Sequence, residues 1–195
     1  KLKKELSIQP NDFVFIFVGR LVGDKGINEL IAAFKKLQST SSFTFQLSLI
    51  LVGPLEPLLD PLEQKTVEEI NNNKNIISVG FKSDIRPYLS ISDILIFPSY
   101  REGFPNVVLQ AGAMGLPCIV TDINGCNEII KEGENGWIIP SKDEDAILNS
   151  MRNCILKKNR TTIKKSNIRN MIKIKYQQKL VWNAILNEYE NLIKK

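Results

Sequence analysis

The sequence predicts an α/β fold, a doubly wound parallel sheet of Rossmann-like type. Three observations carry that prediction. Apolar runs of strand length alternate with segments of helical period, and the connections between them are short. The stretch from Ile94 to Pro117 runs from an apolar segment through a proline and a glycine turn into a helix start. That sequence of elements builds a binding site at the carboxyl edge of a parallel sheet.

Taken in order, Phe13–Val18 is unbroken apolar chain and reads as a buried strand. Asn28–Leu37 follows as a helix, with Leu30, Ile31, Phe34 and Leu37 on one face. Phe45–Val52 is a second strand, and Pro61 to Asn73 a helix opened by its proline and closed by the asparagine run. Ile76–Val79 reads as a short strand, Asp84–Ile91 as a helix, and Ile94–Phe97 as a strand stopped by Pro98. The next helix has Pro105 and Asn106 as its first residues; proline there loses an amide hydrogen that would have had no partner. Cys118–Thr121 and Gly136–Ile139 complete the strands, and Asp143–Leu156 is a helix introduced by Ser141. A last helix carries Leu180, Val181, Ile185, Tyr189 and Leu192 on a face that needs something to pack on. There is no internal repeat at solenoid periods and no low-complexity linker.

A chain of 195 residues can bury one sizeable core. Its 43% hydrophobic and 24% charged residues are those of an ordinary water-soluble domain. No apolar stretch is long enough to span a bilayer and no secretory signal is present. Cys118, Cys126 and Cys154 fit a reducing compartment rather than a disulfide framework, so a cytoplasmic setting is expected. Cys118 belongs to the core run Cys118-Ile119-Val120, while Cys126 reads as a loop residue. With no histidine in the chain, neither a zinc site nor a cysteine nucleophile is indicated. The chain begins at Lys1 rather than Met, as a piece of a longer protein would. Charge is uneven: residues 157–195 hold 11 Lys or Arg against 2 Glu, whereas the rest is net negative. Such a basic flank suits either an anionic membrane face or a plain solvated helical surface.

The chemistry concentrates in two places. Before the helix at Asn106, Glu102 and Gly103 precede free amides at the positive end of a helix dipole, a site suited to phosphate. Asn106 and Gln110 share a face of that helix. Gln110 lies among Val108, Leu109, Ala111, Ala113 and Met114, so a buried amide there needs a partner or costs roughly 1–3 kcal/mol. It either caps a neighbouring carbonyl or bonds ligand hydroxyls. On the loop leaving the first strand, Arg20 and Lys25 are set among Gly19, Gly23 and Gly26. They are either solvated cations or phosphate ligands, the arginine bidentate and the lysine a point charge.

Glu102-Gly-Phe-Pro-Asn through Gln110, followed by Ala-Gly-Ala-Met-Gly-Leu-Pro, resembles the donor-site signature of retaining, GT-B-fold glycosyltransferases of the "group 1" family. That signature has two carboxylates separated by seven residues, then a small-residue helix end. Gly19-Arg20 with Lys25-Gly26 resembles the family's glycine-arginine and lysine-glycine loop, and Leu51-Val52-Gly53-Pro54 its second-strand exit. Val79-Gly80-Phe81, followed by Asp84, Tyr88 and Ser92-Asp93, resembles the base-binding strand and next helix. The likeness covers about Val14 to Pro140, with one departure: Gln110 stands where the family usually has its second glutamate.

The resemblance implies the C-terminal half of a GT-B enzyme, with residues 1–175 as a nucleotide-sugar-binding domain. Residues 176–195 would then form a helix crossing to an N-terminal domain. It implies that Arg20 and Lys25 bind the leaving diphosphate and that Glu102 bonds a sugar hydroxyl. Gln110 would take the ribose, Gly80 and Phe81 the base. Gly19, Gly53, Gly103, Phe104, Pro105, Asn106 and Val107 would frame the donor. The donor would be a nucleotide sugar, UDP-linked in first place, and the reaction would need neither metal nor cofactor. No Asp-x-Asp motif is present, and Asp143-Glu-Asp145 reads as charge at a helix start. The implied acceptor is a growing surface polysaccharide or lipid-linked glycan at the inner face of the cytoplasmic membrane, with peripheral membrane contact and no nucleic acid. Two other readings stand beside it. A sugar-nucleotide 2-epimerase of GT-B fold relies on a histidine that this chain lacks, and a flavodoxin-like receiver needs acid where Arg20 stands.

Overall fold

The computed structural model describes residues 1–40, 43–157 and 163–194. The chain opens with a short helix, α1 (Leu2–Glu5), and strand β1 (Phe13–Val18), followed by a single 3-10 turn over Gly23–Lys25 and helix α2 (Ile27–Thr40). Then come β2 (Leu47–Val52), α3 (Gln64–Asn72), β3 (Ile76–Gly80), α4 (Arg86–Ile91) and β4 (Ile94–Phe97). The second half comprises α5 (Asn106–Ala113), β5 (Cys118–Thr121), α6 (Cys126–Ile129), β6 (Gly136–Ile139), α7 (Glu144–Lys157), α8 (Lys165–Tyr176) and α9 (Gln178–Ile193).

All strand pairs are parallel and the sheet order is β3-β2-β1-β4-β5-β6. The order reverses between β1 and β4, and a ligand crevice opens at such a switch point, beyond the strand ends. The central strand β1 is buried on both faces, which is why Val14, Phe15, Ile16 and Phe17 read as a continuous apolar run. Phe15 meets Phe34 of α2 edge-on at 6.4 Å, and Phe17 stacks near Phe97 of β4 at 6.1 Å. Helices α2, α3 and α7 pack as one group and α5, α6 and α8 as another. Gly112 lets α8 approach α5: a β-carbon there would lie 2.6 Å from Ile172.

The doubly wound fold is as the sequence predicts, with four local differences. Pro61 does not open α3; Glu63 is extended, and Gln64 begins the helix. The segment before it is tied elsewhere, since Asp60 accepts the Asp24 amide and the Glu63 amide donates to Asn28. Pro105 likewise stands outside α5 with extended backbone and caps it through its carbonyl, which accepts the Val108 amide. Asp143 rather than Ser141 caps α7, its carboxylate accepting the Ala146 amide. Cys126 opens helix α6 and is fully buried, so it is no loop residue. Helices α1, α6 and α8 carry no clear signal as separate elements in the sequence. The first two are single turns, and α8 alternates charge and isoleucine without a cap.

Candidate functional site

The carboxyl ends of β1, β2 and β3 are joined by backbone hydrogen bonds between their exit loops. The Gly19 amide donates to Val52, the Gly53 amide to Gly80, and the Leu21 amide to Pro54. A β-carbon on Gly53 would lie 1.8 Å from the Gly19 carbonyl oxygen, so only glycine permits this approach. Above these ends lies a cavity of about 520 Å³ lined by Gly19, Arg20, Gly53, Phe81, Val107 and Gln110, with Glu56, Lys82 and Ile85 also on its wall. Six positions singled out in the sequence are thus gathered in one crevice at the switch point.

Arg20 is half-exposed, its guanidinium 3.3 Å from Oε2 of Glu56. Glu56 is silent in the sequence, because a lone carboxylate in a leucine- and proline-rich loop gives no signal of its own. Phe81 is 74% exposed, so it has no part in the core. Gln110 is exposed on the cavity side of α5 rather than buried among its apolar neighbours, so the burial cost considered for it does not arise. The α5 face carrying Val108 and Ala111 turns inward, and Gln110 lies off that face.

Lys25 and Glu102 do not line this cavity; they form a second cluster, on the loops that follow β1 and β4. Gly26 adopts a left-handed conformation in which a β-carbon would lie 2.2 Å from the Pro98 carbonyl. Glycine there lets the turn of Lys25 lie close against the end of β4. The Lys25 ammonium donates to Oε1 of Glu102 at 2.6 Å, and the two side chains are only 14% and 18% exposed. Ser99, wholly buried, places its hydroxyl 2.8 Å from the same carboxylate oxygen. Low exposure makes this pair worth more than a surface ion pair.

The loop Gly103-Phe104-Pro105 bridges the two groups. Gly125 packs beneath it, close to the Gly103 carbonyl and Pro105. Phe104 leans on Tyr176 of α8, with ring centroids 5.7 Å apart. No side chain caps the N-terminus of α5, where Asn106 is exposed, so its first amides are open to an anion. Burial, and secondarily the Glu102 charge, push the Cys126 thiol up to about 12, which rules it out as a nucleophile near neutral pH. Asp84 is held at about 2 by the adjacent Arg86 guanidinium. Among the described residues no three His, Cys, Asp or Glu side chains gather in a way that could hold a metal ion.

A family model described as glycosyl transferases group 1 matches residues 1–173. The chain belongs to the group 1 glycosyltransferase family. Among curated relatives it is 29% identical over 195 residues to the capsular polysaccharide biosynthesis glycosyltransferase CapM of Staphylococcus aureus, covering 100% of this chain and 50% of that protein. It is 33% identical over 149 residues to the UDP-Gal:alpha-D-GlcNAc-diphosphoundecaprenol alpha-1,3-galactosyltransferase of Escherichia coli, covering 76% of this chain and 38% of that protein. The chain therefore spans half or less of the length of these relatives. Among solved structures, sucrose-phosphate synthase of Thermosynechococcus elongatus matches with a TM-score of 0.82 at 24% identity, over 98% of this chain and 48% of that one. Anabaena HepE in complex with UDP and glucose matches with a TM-score of 0.82 at 23% identity, over 97% and 51%. At such identities these structural comparisons speak for the shared fold alone.

Proposed function

We propose that the chain binds the nucleotide-sugar donor of a retaining glycosyltransferase that extends a surface polysaccharide or lipid-linked glycan. The observation that carries this reading is the switch-point cavity, with Arg20 on its wall and the Lys25–Glu102 pair on the loops that follow β1 and β4. Breaking the bond between an anomeric carbon and a diphosphate builds negative charge on the leaving phosphate. Fixed cations and helix amides aimed at that charge stabilise the transition state. Arg20, Lys25 and the open N-terminus of α5 supply them without a metal. Glu102 lies where an anion can bond a sugar hydroxyl and face the developing oxocarbenium charge. Phe81 and the Gly80 backbone border the base, and Gln110 reaches the ribose.

Several names support the finer parts. HepE was crystallised with UDP and glucose, and the E. coli relative is named for a UDP-Gal donor and a diphosphoundecaprenol acceptor. Its alpha product is what retention of an alpha-linked donor gives. Among the described residues no helix is long and apolar enough to cross a membrane, so a lipid-linked acceptor would be met from the surface.

The test is a thermal-shift comparison of UDP, GDP and ADP in the presence of EDTA. UDP should stabilise the chain most, by mass action on the folded state. No shift with any of the three, or a shift that appears only with magnesium, would overturn the reading.

A further inference from the structure

Ser99 stands just beyond β4 and is wholly buried. Its hydroxyl has one proton and three oxygens within reach: Oε1 of Glu102 at 2.8 Å and the carbonyls of Arg101 and Asp24 at 3.2 and 3.4 Å. The carboxylate is both nearest and charged, so it takes the proton, and the hydroxyl lone pairs then face the Lys25 ammonium at 3.5 Å. The serine is itself pinned, because the buried Thr121 hydroxyl of β5 donates to its carbonyl. Lys25 of the Gly23–Lys25 turn and Ser99 at the exit of β4 thus meet on one carboxylate oxygen, and β5 holds Ser99 in place through Thr121. Oε2 of Glu102 makes no hydrogen bond among the described residues.

We propose that Ser99 is a positioning residue for the donor's sugar: it fixes Oε1 of Glu102 and so presents Oε2 to a sugar hydroxyl. The inference rests on the donor-site reading above and adds to it a residue that touches no substrate. When a diphosphate draws Lys25 away from Glu102, the carboxylate loses its cation, and the Ser99 hydroxyl is what keeps its rotamer. The effect is therefore specific to the sugar. A free nucleoside diphosphate does not meet Glu102.

Calorimetric titration of UDP and of UDP-glucose, UDP-galactose and UDP-N-acetylglucosamine into the chain, Ser99→Ala, Glu102→Gln and the double variant tests this. Ser99→Ala should weaken the best-bound UDP-sugar by about fivefold or more while UDP stays within about twofold. The double variant should bind that sugar nucleotide no more weakly than Glu102→Gln alone. Equal losses for UDP and UDP-sugar, no loss for the UDP-sugar, or additive losses in the double variant would each overturn the role of Ser99 while leaving the donor site standing. An unsubstituted chain that binds none of the four would take down the donor-site reading itself. Circular dichroism and urea melts of each variant keep loss of fold separate from loss of affinity.

Discussion

At the scale of single residues, the two cations differ more than their shared assignment suggests. Arg20 is half-exposed and its contact with Glu56 is screened by water, whereas Lys25 is largely enclosed with Glu102. Arg20→Ala should therefore weaken UDP binding by about 1.5 kcal/mol and leave stability nearly unchanged. Lys25→Ala should cost up to about 3 kcal/mol of affinity and also destabilise the fold, since Glu102 is left without its cation. Calorimetry paired with urea melts separates the two, and Glu102→Gln in the Lys25→Ala background should restore part of the stability. Gln110 gives a second prediction. An amide accepts one ribose bond where a carboxylate can chelate two hydroxyls, so Gln110→Glu should hold or improve UDP affinity and Gln110→Leu should reduce it. Because Gln110 is exposed, both variants should melt within about 0.5 kcal/mol of the parent chain. Loss of stability with unchanged affinity would mark it as a structural residue.

At the scale of elements, the site depends on the strand exits more than on any helix. Gly53→Ala would drive a β-carbon into the Gly19 carbonyl at a backbone angle that L-residues avoid, and should cost about 2–3 kcal/mol or more in a urea melt. Gly103 has open space around it, and Gly103→Ala should stay within about 0.5 kcal/mol. Equal costs would contradict this account of how the crevice is built. These elements also show what a sequence discloses. Strand runs such as Phe13–Val18 and Ile94–Phe97 are legible because a central parallel strand is buried on both faces and must be apolar throughout. Helix starts are less legible where a distant contact decides them. Pro61 has the residue type of a first helical position, yet the hold of Asp60 on the Asp24 amide keeps that segment extended. Pro105 is similar, wedged over Gly125. The Arg20–Glu56 contact and the Lys25–Ser99–Glu102 cluster join positions far apart in sequence, and nothing local marks such partners.

At the scale of the molecule, the switch-point crevice is open. Arg20 and Phe81 face solvent, and the α9 face of Leu180, Val181, Ile185, Tyr189 and Leu192 is exposed. Water in an open crevice weakens every electrostatic contribution to catalysis. Helix α9 follows α8 and contributes no residue to the crevice lining, so deleting residues 178–195 should leave UDP affinity unchanged. The chain alone should bind nucleotide without transferring sugar, since it spans half or less of the length of its curated relatives. Radiolabelled UDP-sugar with a lipid-linked acceptor checks this, and measurable transfer by the 195 residues would contradict it.

The most direct measurement is a crystal structure of the chain grown with UDP and EDTA. The account predicts the diphosphate between Arg20, Lys25 and the N-terminus of α5, the uracil beside Gly80 and Phe81, and the Lys25–Glu102 distance lengthened from 2.6 Å. UDP seated elsewhere, or a diphosphate in the crevice with neither cation within reach, would contradict it.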